Sequence, residues 1–348
     1  MASYCKIGQL LTPHSSIQSL MQAFQRLQNA YRAYAAQEQF GQGQPQELYQ
    51  PLDYILSLGG KQMRPILLLM AAELYLGQDI EAALPAAYAI ELFHNFSLMH
   101  DDIMDQADLR RGKATVHKKF DTNTAILSGD VMLVYSYKYL AQSAAGNLPA
   151  LLDCYNETAI GVCEGQQMDM NFEQMQSVAL ESYIKMIELK TSVLLYGAMK
   201  MGALIGQAPA EEAELLGEFG RNMGIAFQLQ DDYLDSFGDA ATFGKRIGGD
   251  ILQNKKTVLY IKALELAEEA DKQQLLALYQ QACPNEKEEE KIETVKAIFE
   301  RSGAKAALGQ AVETYRLKAI SFLDQLPKSS TDKAPLYQFL NFIMQRQH

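Results

Sequence analysis

The stretch Ile66-Leu67-Leu68-Leu69-Met70-Ala71-Ala72-Glu73-Leu74-Tyr75-Leu76 decides the fold class. Its residues are mostly good helix formers, and it is apolar on nearly every face. A helix of that kind is buried among other helices. A second stretch of the same character covers Ser192–Ile205. Outward from these two, the chain stays rich in Ala, Leu, Glu, Gln, Met and Lys, and no run of alternating β-branched residues argues for a sheet. The ten prolines fall mostly where helices would begin, at Pro13, Pro51, Pro65, Pro85, Pro149 and Pro209. The expected architecture is an all-α bundle of long helices around a central helix pair.

Three polar stretches interrupt the helical pattern. Gly41–Pro45 reads as a turn, Gly238–Asp250 as a Gly-rich loop, and Asn285–Lys291 as a solvated, charged loop leading into a helix. None separates two composition regimes, so residues 1–348 read as a single domain. Hydrophobic residues make up 48% and charged residues 21%, ordinary for a soluble globular protein. The formal charge of -11 argues against a nucleic-acid partner. An acidic chain can still bind anions where it gathers basic residues or recruits cations. Cys5, Cys154, Cys163 and Cys283 show no C-x-x-C spacing and read as reduced thiols of a cytoplasmic protein. The first ten residues lack the basic and apolar regions of a signal peptide. No run reaches the ~18 apolar residues of a membrane span.

Two acidic motifs carry the chemistry. One is Asp101-Asp102-Ile103-Met104-Asp105, after the apolar stretch Ala86–Met99. The other is Asp231-Asp232-Tyr233-Leu234-Asp235, after Met223–Leu229. On a helix, positions i and i+4 share a face, so Asp101 projects with Asp105 and Asp231 with Asp235. Such pairs repel by about 0.2–0.5 kcal/mol even when exposed. A bound cation offsets that cost. Magnesium prefers oxygen ligands and completes its shell with water and substrate phosphate oxygens. A lone copy of this motif could be a solvated acidic turn; two copies, each ending an apolar helix, point to metal.

Basic residues lie near both motifs. Arg110-Arg111-Gly112-Lys113 follows the first. Upstream, Gly59-Gly60-Lys61-Gln62-Met63-Arg64-Pro65 is a glycine turn leading into a helix, where exposed amides favour anions. Lys190-Thr191 sits within an otherwise apolar region, so Lys190 should face a polar cavity. Gly244-Lys245-Arg246-Ile247-Gly248-Gly249-Asp250 and Asn254-Lys255-Lys256-Thr257 follow the second motif. One kind of site is acidic and suits metal plus diphosphate. The other is purely basic and suits a diphosphate alone. A reaction between two diphosphates explains both.

In this order the motifs GGKxxRP, DDxxD, LRRG, GQxxD, KT, FQxxDDxxD and GKxxGGD resemble the trans-polyprenyl diphosphate synthase family, from Gly59 to Thr257. The resemblance implies an isoprenoid synthase-type helical bundle around a central substrate cavity, working as a homodimer. It implies that isopentenyl diphosphate is condensed with dimethylallyl, geranyl or farnesyl diphosphate, with three magnesium ions. Asp101, Asp105 and Asp231 would bind metal, with Asp102 and Asp235 binding through water or supporting the site. Arg110, Lys190 and Lys255 would hold the allylic diphosphate, with Lys245 nearby. Lys61, Arg64, His94 and Arg111 would hold isopentenyl diphosphate. Thr191 and Gln228 would steady the carbocation, and Gln166 and Asp169 form a polar patch. Read without the family, His94 is a core or helix-surface histidine.

Phe96, five residues before Asp101, lies about one turn below it, with Phe93 on nearly the same face and the small Ser97 beside them. In the family a large residue at the Phe96 position shortens the product. This combination resembles short-chain synthases, with geranylgeranyl diphosphate as the expected product and farnesyl diphosphate as the alternative. A class I terpene cyclase has no use for the isopentenyl site. A non-catalytic helical subunit predicts degraded aspartates, and both motifs are intact.

Overall fold

In the computed structural model, residues 13–143, 148–239, 247–280 and 284–345 are described, with 13–20 and Asn285 as backbone alone. These residues are helical apart from short turns, loops and one two-stranded hairpin. The chain forms two compact units. One comprises Met1–Asn156, Gly197–Gly217 and Pro327–Gln338; the other comprises Glu157–Tyr196, Glu218–Leu326 and Phe339–His348.

The first unit contains α1 (Pro13–Ala35), α2 (Gln46–Ser57), α3 (Met63–Leu76) and α4 (Leu84–Met104). A hairpin of β1 (Leu109–Arg110) and β2 (Lys113–Ala114), then α5 (Val116–Lys119) and α6 (Thr122–Leu140), follow. Helix α4 is its axis, packed against α6, α3 and α1. Its first turn carries Pro85, whose fixed φ suits a helix start. On α3, Pro65–Ala72 are all buried, as the sequence requires. Left-handed Gln62 precedes α3, and Gly77, with φ 64, stops it. Pro51 departs from expectation: it lies inside α2, buried, and not at its start. A proline inside a helix ordinarily costs about 3 kcal/mol, which the burial of Pro51 with Leu52 and Ile55 helps to offset.

Helices α7 (Leu148–Gln174), α9 (Val193–Ile205), α10 (Ala210–Phe237) and α16 (Ser330–Met344) each begin in one unit and end in the other. Within the first unit, Gly202 of α9 lies against the backbone of α3, where a Cβ would overlap the Leu68 carbonyl oxygen. The stretch Ser192–Ile205 is less uniformly apolar in effect than its composition suggests. Lys200 turns outward and pairs with Glu214 at 2.7 Å.

The second unit contains α8 (Leu180–Ile187), a π turn (Glu188–Ser192), α11 (Gly249–Leu252), α12 (Val258–Leu266) and α13 (Glu269–Tyr279). Helices α14 (Glu288–Arg301) and α15 (Ala304–Gln325) complete it. Its core gathers Ile187, Ile225, Leu229, Leu259, Val295 and Phe299. The charged run Asn285–Lys291 is not one solvated loop. Asn285–Lys287 form a 3-10 turn, and the expected helix already starts at Glu288, where three glutamates face the positive helix start. Lys291 is buried, donating to Asn254 Oδ1 at 2.5 Å. It falls on the inner face with Ile292 and Val295, a period that the charge run hides. No helix among the described residues is long and apolar enough to cross a membrane.

Gly202→Ala tests the α3–α9 approach. Helix propensity alone would favour alanine by about 1 kcal/mol. The overlap with Leu68 should instead make the variant less stable by about 1–3 kcal/mol, read as a lower urea midpoint at unchanged slope.

Candidate active site

Both acidic motifs stand at the C-terminal ends of long helices. Asp101 and Asp102 occupy the last turn of α4, and Asp105 caps it, its N–H donating to the Asp101 carbonyl at 2.8 Å. Asp105 is therefore exposed at the helix end, not stacked inside a continuing helix. Asp231 and Asp235 lie in the last two turns of α10, which ends at Phe237. A helix C-terminus carries partial negative charge, so carboxylates there are disfavoured and cations favoured.

In each motif the middle aspartate is buried. Asp102 is 1% exposed and Asp232 3%. Arg110 holds Asp102 with Nε 2.9 Å from both carboxylate oxygens and Nη2 2.6 Å from Oδ1. Arg110 Nη2 also lies 3.5 Å from Asp101 Oδ2. Burial works against the Arg110 charge, yet Asp102, Asp101 and Asp105 hold its pKa above the ordinary value. Asp232 accepts from the Tyr183 hydroxyl at 2.6 Å and from Gln228 Nε2 at 3.3 Å. Burial pushes the Asp232 carboxyl well above the usual range, Asp250 and Asp231 add to that, and the two hydrogen bonds oppose it. Asp235 Oδ2 accepts from the Asp250 N–H at 3.0 Å, so the turn Gly248-Gly249-Asp250 closes on it.

The hairpin explains Arg110 and Arg111. Its two-residue loop is Arg111-Gly112, with φ of 53° and 75°. Positive φ at both positions is the type I′ pattern, which suits glycine and strains arginine. The Arg111 guanidinium lies over Gly60, where a Cβ would come within 2.8 Å of Nη2. Beside it, Arg64 Nη1 donates to His94 Nε2 at 3.0 Å. His94 accepts only as the neutral ring, with its proton on Nδ1. Burial lowers the His94 pKa well below its ordinary value, and Arg64, Arg111 and Arg110 lower it further. Burial draws the Arg64 guanidinium down to about 10, with Glu91 opposing and Arg111 adding. Arg64 stays charged at neutral pH, and its buried Nε finds no acceptor among the described residues. Lys61 is exposed at the start of this turn.

Glu91 and Asn95 were not anticipated. Both are buried in α4, and Asn95 Nδ2 donates to the Glu91 carbonyl at 2.8 Å. Two polar residues one turn apart inside an apolar run were the available signal. Burial raises the Glu91 carboxyl, and Arg64 and Arg111 pull it back.

In the second unit the KT motif sits in the π turn, a distortion often found at functional sites. Lys190 donates to Asp169 Oδ2 at 2.6 Å. Thr191 Oγ1 lies 3.5 Å from Gln228 Oε1. The glycine of GQxxD has a steric cause: a Cβ on Gly165 would overlap the Lys190 backbone nitrogen. Gln166 Nε2 is buried and finds no acceptor among the described residues. Lys255, half exposed, lies 3.5 Å from Asp250. Lys245 lies outside the described residues. On α4, Phe93 is buried against Tyr155, ring centres 5.6 Å apart. Phe96, partly exposed, packs on Phe93 at 5.6 Å and His100 at 4.8 Å. Ser97 donates to the His94 carbonyl at 2.8 Å.

The residues fit magnesium in chemistry: the donors are carboxylate oxygens at negative helix ends. Among the described residues, no three such side chains converge into a ready-made metal cage. An ion here would take further oxygens from water and an anionic ligand. The unmatched donors of Arg64 and Gln166 suit an anion directly.

The His94 geometry predicts a pH response. A depressed histidine pKa means that the unfolded chain binds the extra proton first, so this contribution to stability is present above pH about 6.5 and declines as pH falls below it. In ring-labelled protein, the His94 NMR signals should stay neutral through that value. A midpoint near 6.5 would remove the acceptor role.

Residues 45–299 match the family model described as polyprenyl synthetase. A geranylgeranyl diphosphate synthase of Methanosarcina mazei is 44% identical over 225 residues, 64% of this chain and 68% of its own. A short chain isoprenyl diphosphate synthase of Methanothermobacter thermautotrophicus is 36% identical over 306 residues, 87% of this chain and 92% of its own. The crystal structure of a geranylgeranyl pyrophosphate synthase, 43% identical, aligns with a TM-score of 0.86 over 97% of this chain and 100% of that one. The matched segment includes both acidic motifs and the basic residues around them, and the all-helical fold agrees: this chain belongs to the polyprenyl synthetase family.

Proposed function

We propose that this chain is a trans-prenyltransferase, acting as one catalytic domain over residues 1–348. In this reading it condenses dimethylallyl, geranyl or farnesyl diphosphate head to tail with isopentenyl diphosphate and delivers geranylgeranyl diphosphate. The observation that carries this reading is the metal-independent anion cluster of Arg64, Arg111 and neutral His94. It stands beside an acidic motif whose own arginine is already engaged by Asp102. An enzyme that only ionises one diphosphate needs a single anion site; this chain carries a second. The names of the relatives favour the twenty-carbon product.

The roles follow from the chemistry. Asp101, Asp105 and Asp231, with Asp235 in support, would hold magnesium, three ions in this reading, which would supply positive charge to the leaving diphosphate. Lys190 and Lys255 would share that charge as donors, joined by Lys245, which lies outside the described residues. Arg110 bridges Asp102 to the same end of α4, so Asp102 supports the site through the arginine. When the allylic C–O bond breaks, the hydroxyl of Thr191 and the amide of Gln228 present dipoles to the carbocation. Lys61, Arg64 and Arg111 hold the isopentenyl diphosphate, with His94 fixing the Arg64 fork. The double bond attacks, a C–C bond forms, and the proton passes to the departed diphosphate. The working form is a cytoplasmic homodimer.

Purified protein with magnesium, isopentenyl diphosphate and each allylic starter should give mainly twenty-carbon product. Products that stop at fifteen carbons would make it a farnesyl diphosphate synthase; no consumption of isopentenyl diphosphate would end the synthase reading. Phe96→Ala should shift the product distribution longer by one or more five-carbon units, measured by chromatography of the dephosphorylated products. An unchanged profile would remove Phe96 from chain-length control.

A further inference from the structure

We infer that Arg221 is a positioning residue that sets the π turn and, through it, Lys190. The inference rests on the assignment of Lys190 to the allylic diphosphate. Arg221 Nη1 donates to Glu188 Oε1 at 2.5 Å, and Glu188 is the first residue of the π turn. Arg221 Nε lies 2.9 Å from Glu218, and its guanidinium covers the Tyr196 ring at 4.4 Å. The arginine is thus fixed from its own helix and from the chain just beyond the π turn. Lys185 adds a second cation to Glu188 at 3.2 Å.

The placement forms a register. Arg221, Gly224, Gln228 and Asp232 follow one another at spacings of three, four and four, so they share one face of α10. Each meets a residue of the segment from Tyr183 to Ser192. Arg221 takes Glu188, Gly224 makes room for Ser192, Gln228 reaches Thr191 and Asp232 takes Tyr183. On the other side, Gly165 of α7 leaves space for the Lys190 backbone. A π turn carries one residue more than an α turn, and loss of that residue from the turn would rotate Lys190 away from Asp169. The glycines permit the turn without holding it. Arg221–Glu188 is a charged clamp that α10 makes on the turn.

The test is a kinetic cycle in the full-length enzyme. Arg221→Met should raise KM for the allylic diphosphate by on the order of tenfold to a hundredfold, the scale of an ångström-level misplacement. KM for isopentenyl diphosphate should stay within twofold or so of wild type on the same argument. Arg221→Lys, which keeps the charge, should recover most of the loss. In a Lys190→Ala background, Arg221→Met should have little further effect. Should Arg221→Met fail to fold, Glu188→Gln, which keeps size and shape, is read the same way. Additive losses in the cycle, or both KM values rising together, would overturn the positioning role. If Lys190→Ala alone leaves the allylic KM unchanged, the Lys190 assignment fails. If Lys190→Ala is impaired and both clamp variants are normal, only the Arg221 inference fails.

Discussion

Carboxylates collected at helix C-termini are the constraint around which this molecule is arranged. Each acidic motif adds negative side chains to the end of a helix that is already negative. The fold contains that charge in the same way twice. The middle aspartate is buried and satisfied by protein, Asp102 by Arg110 and Asp232 by Tyr183 and Gln228. The flanking aspartates stay more open. The two solutions differ in kind. A full ion pair neutralises Asp102, and taking away one partner of such a buried pair costs about 3–5 kcal/mol. Among the described residues, neutral donors serve Asp232, and burial pushes its carboxyl up. At the buried aspartate, then, the first motif has a cation and the second has neutral donors.

Left-handed backbone governs the basic cluster in the same way. Gln62, Arg111 and Gly112 have positive φ, and Gly60 lies at φ 155. Non-glycine residues pay about 1–2 kcal/mol for such a conformation. At Arg111 that cost places the guanidinium over Gly60, where no side chain intervenes. The glycine of GGKxxRP and the RRG turn are therefore one device. The first clears the space that the second fills.

How much of this was legible in the sequence depended on period and on shape. The apolar run Ile66–Leu76 gave the buried helix directly, and the repeated DDxxD gave the acidic helix ends. Polar residues hidden by their neighbours were harder. Lys291 sits in a charge run yet belongs to the inner face of α14, and Glu91 and Asn95 sit in an apolar run yet are buried. Pro51 reads as a helix start until the helix is seen to begin five residues earlier. That Asp102 lies on another face than Asp101 was legible from helix geometry, but its burial and its pairing with Arg110 were not. The pairing depends on Arg110 arriving from a hairpin.

The π turn shows why motif residues and supporting residues carry different sequence signals. Lys190 and Thr191 stand out because polar residues interrupt an apolar segment. Gly165 and Gly224 are ordinary helix glycines by composition, each costing about 1 kcal/mol relative to alanine. Their reason is the close backbone on either side of the turn. Sequence alone offers no sign that three helical segments meet there, since the relevant spacings run from 165 to 224. A residue such as Arg221 is further removed, because it acts on the turn through Glu188. The chemistry of the site is thus concentrated in short motifs, while the geometry that makes them work is distributed over residues whose roles only the packing discloses.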